Sequence, residues 1–342
     1  MTDTDPKGED GPSGADPDPA REGLTYAESG VDIDESEAAT EALIGATEGF
    51  EGDFAGLVDI GERYLALATD GVGTKLLVAE ALDDYSTVGI DCIAMNVNDL
   101  VAAGIEPVAF VDYLAVEEPD PMTNEQIGEG LAIGAELADV ALVGGETAVM
   151  PDVIDGLDIA GTAAGLGPKD GLFPGEAEVG DAIVGWPSSG IHSNGLTLAR
   201  EAVTREGEYT DPFPPTPSKT IGEELLEPTR IYTDLLDPLR EHGAHAAAHV
   251  TGGGWTNLTR MGPYRYVIEE PFDAPPIFEF VREAGDIDDA EMHRTFNMGT
   301  GFVAALDPDD AMSVVESTAD GRIVGRVADG SDGVSISGLE LS

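Results

Sequence analysis

A glycine loop in the first third of the chain combines residue types that bind phosphate and a divalent cation. It reads D-G-V-G-T-K at residues 70–75. Its glycines allow backbone N–H groups to approach an anion, Lys75 adds a positive charge, and Asp70 can ligate a metal ion. The loop is neither a Walker A motif nor a G-x-G-x-x-G fingerprint. A plain glycine turn is the alternative, but Lys75 is the only basic residue between Arg63 and Lys169, which favours a role in binding.

Two further segments carry acidic and amide side chains that could join this loop. N-V-N-D, from Asn96 to Asp99, falls inside a predicted helix, where Asn and Asp are unfavourable because their side chains compete for backbone hydrogen bonds. Asn96 is compatible with a solvated helix face, whereas Asp99 is expected to face the loop. The G-G-E-T motif around Glu146 is predicted to be a turn at a strand end. Asp70, Asp99 and Glu146 then form a predicted set of three carboxylates for a cation that bridges nucleotide phosphates.

The second half of the chain offers a candidate phosphate site at residues 188–195, S-S-G-I-H-S-N-G. This segment lies between a predicted strand and a predicted helix, where backbone N–H groups and the helix dipole favour a phosphate. Ser189, Ser193 and Asn194 add neutral donors, and His192 could donate a hydrogen bond or act as an acid or base. An N-cap that uses one of these side chains is the alternative. A Ser-His hydrolase is disfavoured because there is no nucleophile elbow.

A third glycine segment, H-V-T-G-G-G at residues 249–254, also follows a predicted strand. Three successive glycines lose much conformational entropy on folding, so we expect a ligand to approach the backbone closely there. His245 and His249 are four residues apart, but this spacing has no metal-binding meaning on a strand, and a metal is disfavoured. Cys92 is expected to be a small core residue.

Strands and helices alternate along the chain, which predicts an α/β fold with mixed sheets in two domains. We expect an acidic disordered tail over 1–22, an N-terminal domain over 23–167 and a C-terminal α/β domain over 168–342. The predicted strands are Tyr64–Thr69, Pro107–Leu114, Ala141–Val143, Ile159–Leu166, Ala182–Trp186, Ala244–Val250 and a last pair, Gly301–Leu306 with Arg322–Val327. The predicted helices begin near Asp91, at Thr123 (an N-cap with Gln126 as its reciprocal partner), at Leu196 and near Pro228.

Composition narrows the classes of partner. The chain has 16 Lys+Arg and 68 Asp+Glu, a net charge of −52, which repels nucleic acid and anionic membranes. The apolar fraction of 42% is too high for a disordered chain, so we interpret the acidity as a surface adapted to high salt. Neither a membrane span nor a secretion signal is evident. The sequence therefore predicts a cytoplasmic protein.

Taken in order, these segments resemble one family, the phosphoribosylformylglycinamidine cyclo-ligases, also called aminoimidazole ribonucleotide synthetases. The resemblance runs from Thr25 nearly to the C-terminus. The matching blocks are T-Y-A-E-S-G-V-D from Thr25, the loop at 70–75, G-I-D from Gly89, V-N-D-L from Val97, L-V-G-G-E-T-A from Leu142, the loop at 188–195, P-T-R-I-Y from Pro228, H-V-T-G-G-G from His249 and E-M-H-R-T-F-N from Glu291.

The resemblance implies ATP-dependent ring closure of formylglycinamidine ribonucleotide to aminoimidazole ribonucleotide in purine synthesis. It implies two α/β domains, with the N-terminal ones pairing into a homodimer through a shared β-barrel. ATP and Mg²⁺ are the implied cofactors, with K⁺ as a further candidate.

The resemblance also implies roles for individual residues. Asp70, Asp99 and Glu146 would hold Mg²⁺, and the candidate catalytic residues are Lys75, Asp99 and His192, with the general acid or base left open. The implied nucleotide ligands are Gly71, Gly73, Thr74, Lys75, Asn98, Gly144, Gly145 and Thr147. The implied substrate ligands are Ser189, Gly190, His192, Ser193, Asn194, Thr251, Gly252, Gly253 and Asn297.

One departure from the family concerns residues 49–57, which are acidic where relatives often carry a basic, glycine-rich stretch that closes over ATP. Other ATP-dependent enzymes of the same superfamily, such as thiamine-phosphate kinase, share the carboxylates and are the first alternative. Selenophosphate synthetase is disfavoured because it needs a reactive Cys or selenocysteine near the N-terminus. A catalytically inactive ligand-binding paralogue is the second alternative.

Overall fold

A computed structural model describes residues 23–31, 38–39, 55–169, 172–173 and 176–341. The predicted acidic tail lies outside these residues, as does most of the acidic 49–57 segment.

The first sheet has five strands in the order β1-β2-β5-β3-β4, and only the β3–β4 pair is parallel. Its strands are β1 (Gly56–Asp59), β2 (Arg63–Gly71), β3 (Glu106–Val116), β4 (Ala141–Val149) and β5 (Leu157–Pro168). Four predicted strands fall within these bounds. The G-G-E-T motif, however, continues β4 instead of forming a turn, so that prediction is wrong.

The two faces of this sheet differ. Ala66, Ala68 and Phe110 point to one face and are buried under helices. The other face is open, with Leu67 and Tyr113 each almost half exposed at 45% and 46%. Side chains alternate between the faces of a strand, so this register decides which polar residues can share a site.

The second sheet has seven strands in the order β12-β11-β8-β10-β6-β9-β7. Its strands are β6 (Ala182–Pro187), β7 (Ala246–His249), β8 (Arg265–Ile268), β9 (Thr300–Leu306), β10 (Arg322–Ala328), β11 (Gly333–Ile336) and β12 (Leu339–Leu341). The sequence analysis named β9 and β10 as a pair of strands. They do not pair with each other, because β6 lies between them.

Nine helices occur in the part of the chain that the structure describes. They are α1 (Leu76–Leu82), α2 (Val88–Ala102), α3 (Pro121–Ala138), α4 (Leu196–Glu206), α5 (Ile221–Leu225), α6 (Leu236–Glu241), α7 (Pro276–Gly285), α8 (Asp289–Thr295) and α9 (Pro308–Ser317), with 3₁₀ turns at Gly73–Lys75, Thr233–Leu235 and Gly254–Met261. Within the described ranges, no helix combines the length and the apolar character needed to cross a membrane.

Two predicted helix starts are wrong. Helix α3 begins at Pro121, and its N-cap is Asp120, whose carboxylate accepts from the backbone N–H groups of Met122 and Thr123. Gln126 does not close a capping box, because its side-chain oxygen accepts from the Tyr85 backbone N–H at 2.8 Å. The helix predicted near Pro228 is absent, and the segment that follows it reaches α6 only after a 3₁₀ turn.

Helix α2 joins the two halves of the molecule. It contacts β2 and β5 of the first sheet and β7 of the second, and almost all of its side chains are buried. Gly89 allows α3 to pack closely, since a Cβ atom there would collide with the backbone at Leu131. A helix enclosed on all sides has no solvated face, so every polar residue on α2 needs a partner or a ligand.

Candidate active site

The loop at 70–75 leaves the end of β2 and turns directly toward the C-terminal half. Asp70 Oδ1 accepts a hydrogen bond from the Gly71 N–H at 2.7 Å. Gly73 has a positive φ of 68°, and no neighbouring atom lies within 4 Å of the position where its Cβ would be. Thr74 Oγ1 lies 3.0 Å from Thr197 Oγ1 in α4. The two halves therefore meet at this loop, with open space on its outer side.

Lys75 does not point into that open space. Its ammonium group is fully buried, forms an ion pair with Asp91 Oδ2 at 2.7 Å, and donates to the Glu227 carbonyl at 2.7 Å. In this arrangement Lys75 connects α2 to the C-terminal half, and the predicted contact between its side chain and a phosphate stays a prediction.

Asp70 and Asp99 lie near one another at the domain junction. Asp70 is an exposed residue, yet partial desolvation by the surrounding protein, together with the charge of Asp99, raises its pKa to about 6. Asn96 is completely buried, and its amide nitrogen donates to the Asp70 carbonyl at 3.2 Å. This contradicts the solvated face predicted for Asn96. Its amide oxygen is buried and has no hydrogen-bond partner, while its amide nitrogen fixes the backbone at Asp70.

Asp99 is held by a histidine. Its Oδ1 lies 3.1 Å from Nδ1 of His249, which is fully buried, while the Asp99 side chain is 22% exposed. Asn98 Nδ2 lies 3.4 Å from His249 Nε2. Asn98 also donates to the Arg230 carbonyl and accepts from the Tyr232 N–H, each at 2.9 Å. Both atoms of the Asn98 amide thus make contacts within the protein and fasten the segment around Arg230 to α2. The predicted contact of Asn98 with a nucleotide stays a prediction.

Glu146 lies on the other side of the sheet. It is in register with Tyr113 on the open face, whereas Asp70 and Asp112 occupy the helix-covered face with Gly161 between them. Within the described ranges, no three His, Cys, Asp or Glu side chains are grouped so that they could hold one metal ion. A single chain therefore does not assemble the predicted set of three carboxylates.

The other predicted residues of the G-G-E-T motif divide between the faces in the same way. Gly145 and Thr147 share the face of Asp70, and Gly144 shares that of Glu146. A side chain at Gly145 would collide with the carboxylate of Asp112, a residue that the sequence analysis missed. Burial raises the pKa of Asp112.

His192 is a buried part of its loop. Its φ is +67°, a left-handed conformation that is strained for a non-glycine residue. It is 1% exposed, and its Nε2 accepts from the Ser189 N–H at 3.1 Å, so the neutral ring carries its proton on Nδ1. Burial, with the nearby charges of His249, Lys75 and Arg230, lowers the pKa of His192 well below its ordinary value. This neutral ring shapes the loop and has little access to a substrate.

Other members of the predicted substrate site are also used inside the protein. Ser189 Oγ donates to the Pro228 carbonyl at 2.6 Å. Asn297 donates to the carbonyl groups of Gly190 and Ile191 and accepts from the Gly299 N–H. These contacts fix the shape of the loop at 188–195.

Asn194 and the 249–254 segment face each other. Asn194 Nδ2 lies 3.7 Å from Met95 Sδ on α2, and a Cβ at Gly252 would lie 3.4 Å from Asn194 Oδ1. Thr251 Oγ1 accepts from Asn257 at 3.0 Å. Gly253 adopts a φ of +95°, which few residues other than glycine tolerate. The 188–195 and 249–254 segments thus come together over Met95, next to the acidic group of Asp70 and Asp99.

Asp91 and Thr229 are functional candidates that sequence reasoning missed. Both are buried, at 0% and 2% exposure, and Asp91 Oδ1 accepts from the Thr229 N–H and hydroxyl at 2.8 and 2.6 Å. The available signal was an aspartate among apolar residues in G-I-D-C-I. Cys92 is a buried core residue, as predicted.

Comparisons with known proteins identify the family of this chain. Residues 52–167 match the model described as AIR synthase related protein, N-terminal domain, and residues 178–337 match that of the C-terminal domain. The chain is 50% identical over 318 residues to phosphoribosylformylglycinamidine cyclo-ligase of Methanosarcina mazei, which covers 90% of this chain and 95% of the relative. The chain belongs to the phosphoribosylformylglycinamidine cyclo-ligase family. The family resemblance noted in the sequence is thereby confirmed.

Two further matches extend this result. The cyclo-ligase of Methanococcoides burtonii is 46% identical over 330 residues, covering 93% of this chain and 98% of the relative. A solved structure, AaThiL complexed with AMPPCP and TMP, aligns with a TM-score of 0.67 at 18% identity and covers 91% of this chain and 97% of that one. At this identity the likeness concerns the fold.

Proposed function

We propose that this chain catalyses the ATP-dependent cyclisation of formylglycinamidine ribonucleotide to aminoimidazole ribonucleotide, releasing ADP and phosphate, in purine synthesis in the cytoplasm. The observation that carries the proposal is the 50% identity to a cyclo-ligase over nearly the full length of both chains. The structure adds support, because the three predicted loops come together along α2.

ATP and Mg²⁺ are the proposed cofactors, and K⁺ remains a further candidate. Asp70 and Asp99 would hold the Mg²⁺. Asn96, whose nitrogen contacts the Asp70 carbonyl at 3.2 Å, has a side-chain oxygen without a hydrogen-bond partner. This donor set fits a hard cation that keeps several water ligands. The backbone around Gly71 and Gly73 would receive the phosphates. Mg²⁺ would neutralise charge that develops during phosphoryl transfer.

The reaction needs the formyl oxygen to become a leaving group. That oxygen attacks the γ-phosphorus of ATP and ADP departs. The amidine nitrogen then attacks the activated carbon, phosphate leaves as the ring closes, and a proton is released. Asp99 is the proposed catalytic residue, because its carboxylate reaches the cleft and can hold the cation or accept a proton while His249 orients it.

The substrate phosphate would lie against the 188–195 loop and the N-terminus of α4, where backbone N–H groups favour an anion. Ser193 and Asn194 are the proposed side-chain donors, and Thr251 with Gly252 would face the reacting amide. His192 would act by holding the Ser189 N–H in place.

A direct assay tests the proposal. The purified protein is mixed with ATP, Mg²⁺ and formylglycinamidine ribonucleotide in molar KCl, and aminoimidazole ribonucleotide and ADP are both quantified. We expect equal amounts of the two products. ADP without aminoimidazole ribonucleotide would indicate a kinase of the same superfamily, and neither product would indicate an inactive ligand-binding protein.

A homodimer is proposed on the open face of the first sheet. Three apolar residues on this face, Leu67, Val111 and Tyr113, each expose 40–46% of their area. Monomeric soluble proteins rarely leave neighbouring apolar residues this exposed to water. Glu146 lies on the same face and would lie in the dimer interface. Light scattering is expected to give twice the monomer mass, and Val111→Asp is expected to give monomers. A monomeric wild-type protein would refute this part.

Adaptation to high salt is proposed from the net charge of −52. Salt screens repulsion between surface carboxylates, so we expect the melting temperature to fall as KCl is lowered from molar to millimolar concentrations. Equal melting temperatures in the two conditions would rule the adaptation out.

A further inference from the structure

A buried polar cluster connects the two loops that the proposed function assigns to nucleotide and substrate. Lys75 ends the first loop, Asp91 lies in the first turn of α2, and Thr229 belongs to the C-terminal half. Asp91 Oδ2 pairs with Lys75 at 2.7 Å, and Asp91 Oδ1 accepts both donors of Thr229. Lys75 also donates to the Glu227 carbonyl. The cluster therefore has one member in each of three separate pieces of chain.

The cluster continues into the substrate loop. Pro228, between the residues that contact Lys75 and Asp91, accepts a hydrogen bond from Ser189 Oγ at 2.6 Å. Ser193 Oγ lies 3.5 Å from Thr229 Oγ1. An unbroken series of polar contacts thus runs from the loop at 70–75 to the loop at 188–195.

Fold stability alone is a poor explanation for this arrangement. A buried ion pair must overcome the desolvation of two charges, and apolar residues of similar size often stabilise a core equally well or better. The chain contains only four lysines, yet it places one where water cannot reach it. If the loop at 70–75 moved alone, Lys75 and Asp91 would each be left buried without its partner, which is strongly unfavourable. If the loop at 188–195 moved alone, the contacts of Ser189 with the Pro228 carbonyl and of Ser193 with Thr229 would be lost.

We propose that Lys75, Asp91 and Thr229 are positioning residues that couple the two loops, so that occupancy of the nucleotide loop raises the affinity of the substrate loop and the reverse. This inference rests on the proposed function for the identity of the two ligands. Coupling of this kind is reciprocal, and its usual size is about 5- to 150-fold in affinity.

The test measures binding of a non-hydrolysable ATP analogue with Mg²⁺, by calorimetry, with and without formylglycinamidine ribonucleotide. Thr229→Val removes the hydroxyl donor at nearly constant volume, and Thr229→Ser is the matched control that keeps it. For the wild type we expect at least about 5-fold tighter binding of the analogue when substrate is present. Thr229→Val should reduce this factor toward one while each ligand alone binds within about 3-fold of wild type, and Thr229→Ser should restore it.

A double variant guards against loss of folding. Lys75→Met combined with Asp91→Asn removes both charges together and retains an acceptor for Thr229. We expect it to melt near the wild-type temperature, with the coupling factor lost. Retention of coupling in both Thr229→Val and the double variant would overturn the inference, as would a wild type that turns over but shows no coupling. A wild type without turnover would instead count against the proposed function.

Discussion

Two histidine–aspartate pairs lie at opposite ends of strand β7, and their burial is reversed. His245, just before the strand, pairs with Asp181 at 2.9 Å, and the histidine is 20% exposed while the acid is 2% exposed. His249, the last residue of the strand, pairs with Asp99 at 3.1 Å, and here the histidine is buried and the acid is 22% exposed.

On the proposed function, this difference separates a structural pair from a reactive one. Asp181 also accepts from the Glu178 N–H at 2.8 Å, so its carboxylate is enclosed by protein donors and the histidine covers it from outside. Asp99 is contacted from the buried side by His249, and its side chain is 22% exposed. The same two residue types thus form an enclosed carboxylate in one place and a partly exposed one in the other, and the proposed function gives only the second a role with ligands.

The largest expected effect distinguishes the two acids by activity. Asp99→Asn keeps the size of the side chain but removes its charge, and we expect kcat to fall by about 10³-fold, as for loss of a catalytic acid or base. Asp181→Asn is the matched control and should keep kcat within about 2-fold per folded molecule. Steady-state assays in molar KCl measure both. Similar losses from both variants would remove the distinction.

Substitution of His249 should also lower kcat more than substitution of His245, but the difference should be smaller than for the two acids. His249→Gln is expected to lower kcat by about 10- to 100-fold, the range found when a residue that orients a functional ligand is lost. His245→Gln should leave kcat unchanged. A fully active His249→Gln enzyme would show that Asp99 needs no orientation by this ring.

The Asp181→Asn variant should lose more stability than the Asp99→Asn variant, the opposite of the order expected for activity. Asp181→Asn weakens a charged, buried hydrogen-bonded contact, so we expect a loss of about 2 kcal/mol in the free energy of unfolding. Asp99→Asn should change it by less than about 0.5 kcal/mol, since the acid is partly open and repels Asp70. Urea denaturation at pH 7 compares the two, and an unaffected Asp181→Asn variant would contradict the structural role.

The contribution of the His245–Asp181 pair to stability should also depend on pH. Burial alone would lower the pKa of His245, but the hydrogen bond and charge of Asp181 outweigh it and raise this pKa. The stabilisation is then fully present below the unfolded-state pKa of histidine and is lost as pH rises through the folded-state pKa. The gap in stability between wild type and His245→Gln should therefore shrink from pH 6 to pH 9. A gap independent of pH would exclude a charged histidine.

The smallest expected effect is on the stability of a variant at Asp70, which lies near Asp99. Its pKa of about 6 lies above the unfolded value of about 3.9, so its ionisation destabilises the fold as pH rises from about 4 to 6. The shift corresponds to almost 3 kcal/mol, but because the residue reaches solvent we expect on the order of 1 kcal/mol. With divalent cations removed, Asp70→Asn should be more stable than wild type at pH 8 and equal to it at pH 4.

Much of this architecture could be predicted from periodicity. The helix predicted to begin near Asp91 is α2. Its apolar residues Ile93, Val97, Leu100 and Val101 follow the helical spacing i, i+4, i+7, i+8, and all four are buried. The apolar runs in β2, β3 and β5 gave correct strands, because local side-chain pattern is the main signal for a strand or a helix. The short strands β1, β8, β11 and β12 were missed, since three or four residues hold too little pattern.

The orientation of single side chains in the site was beyond that reasoning. The contact of Lys75 with Glu227 joins residues 152 positions apart, and no local pattern indicates it. The sequence analysis grouped Glu146 with Asp70 and Asp99 without regard to sheet faces, because the face of a strand residue depends on its register with a neighbour, and a shift of one residue exchanges the faces. Two adjacent glycines also suggested a turn where the chain continues as the edge strand β4.

The contacts of helix α2 fix the number of residues between Asp91 and Asp99. Asp91 contacts the C-terminal half through Thr229, and Asn98 and Asp99 contact it again two turns later through Tyr232 and His249. Each residue of an α-helix advances the direction of the side chain by about 100°, so one inserted or deleted residue between these points would turn the later pair out of reach. Functional relatives should therefore keep the number of residues between Asp91 and Asp99 unchanged.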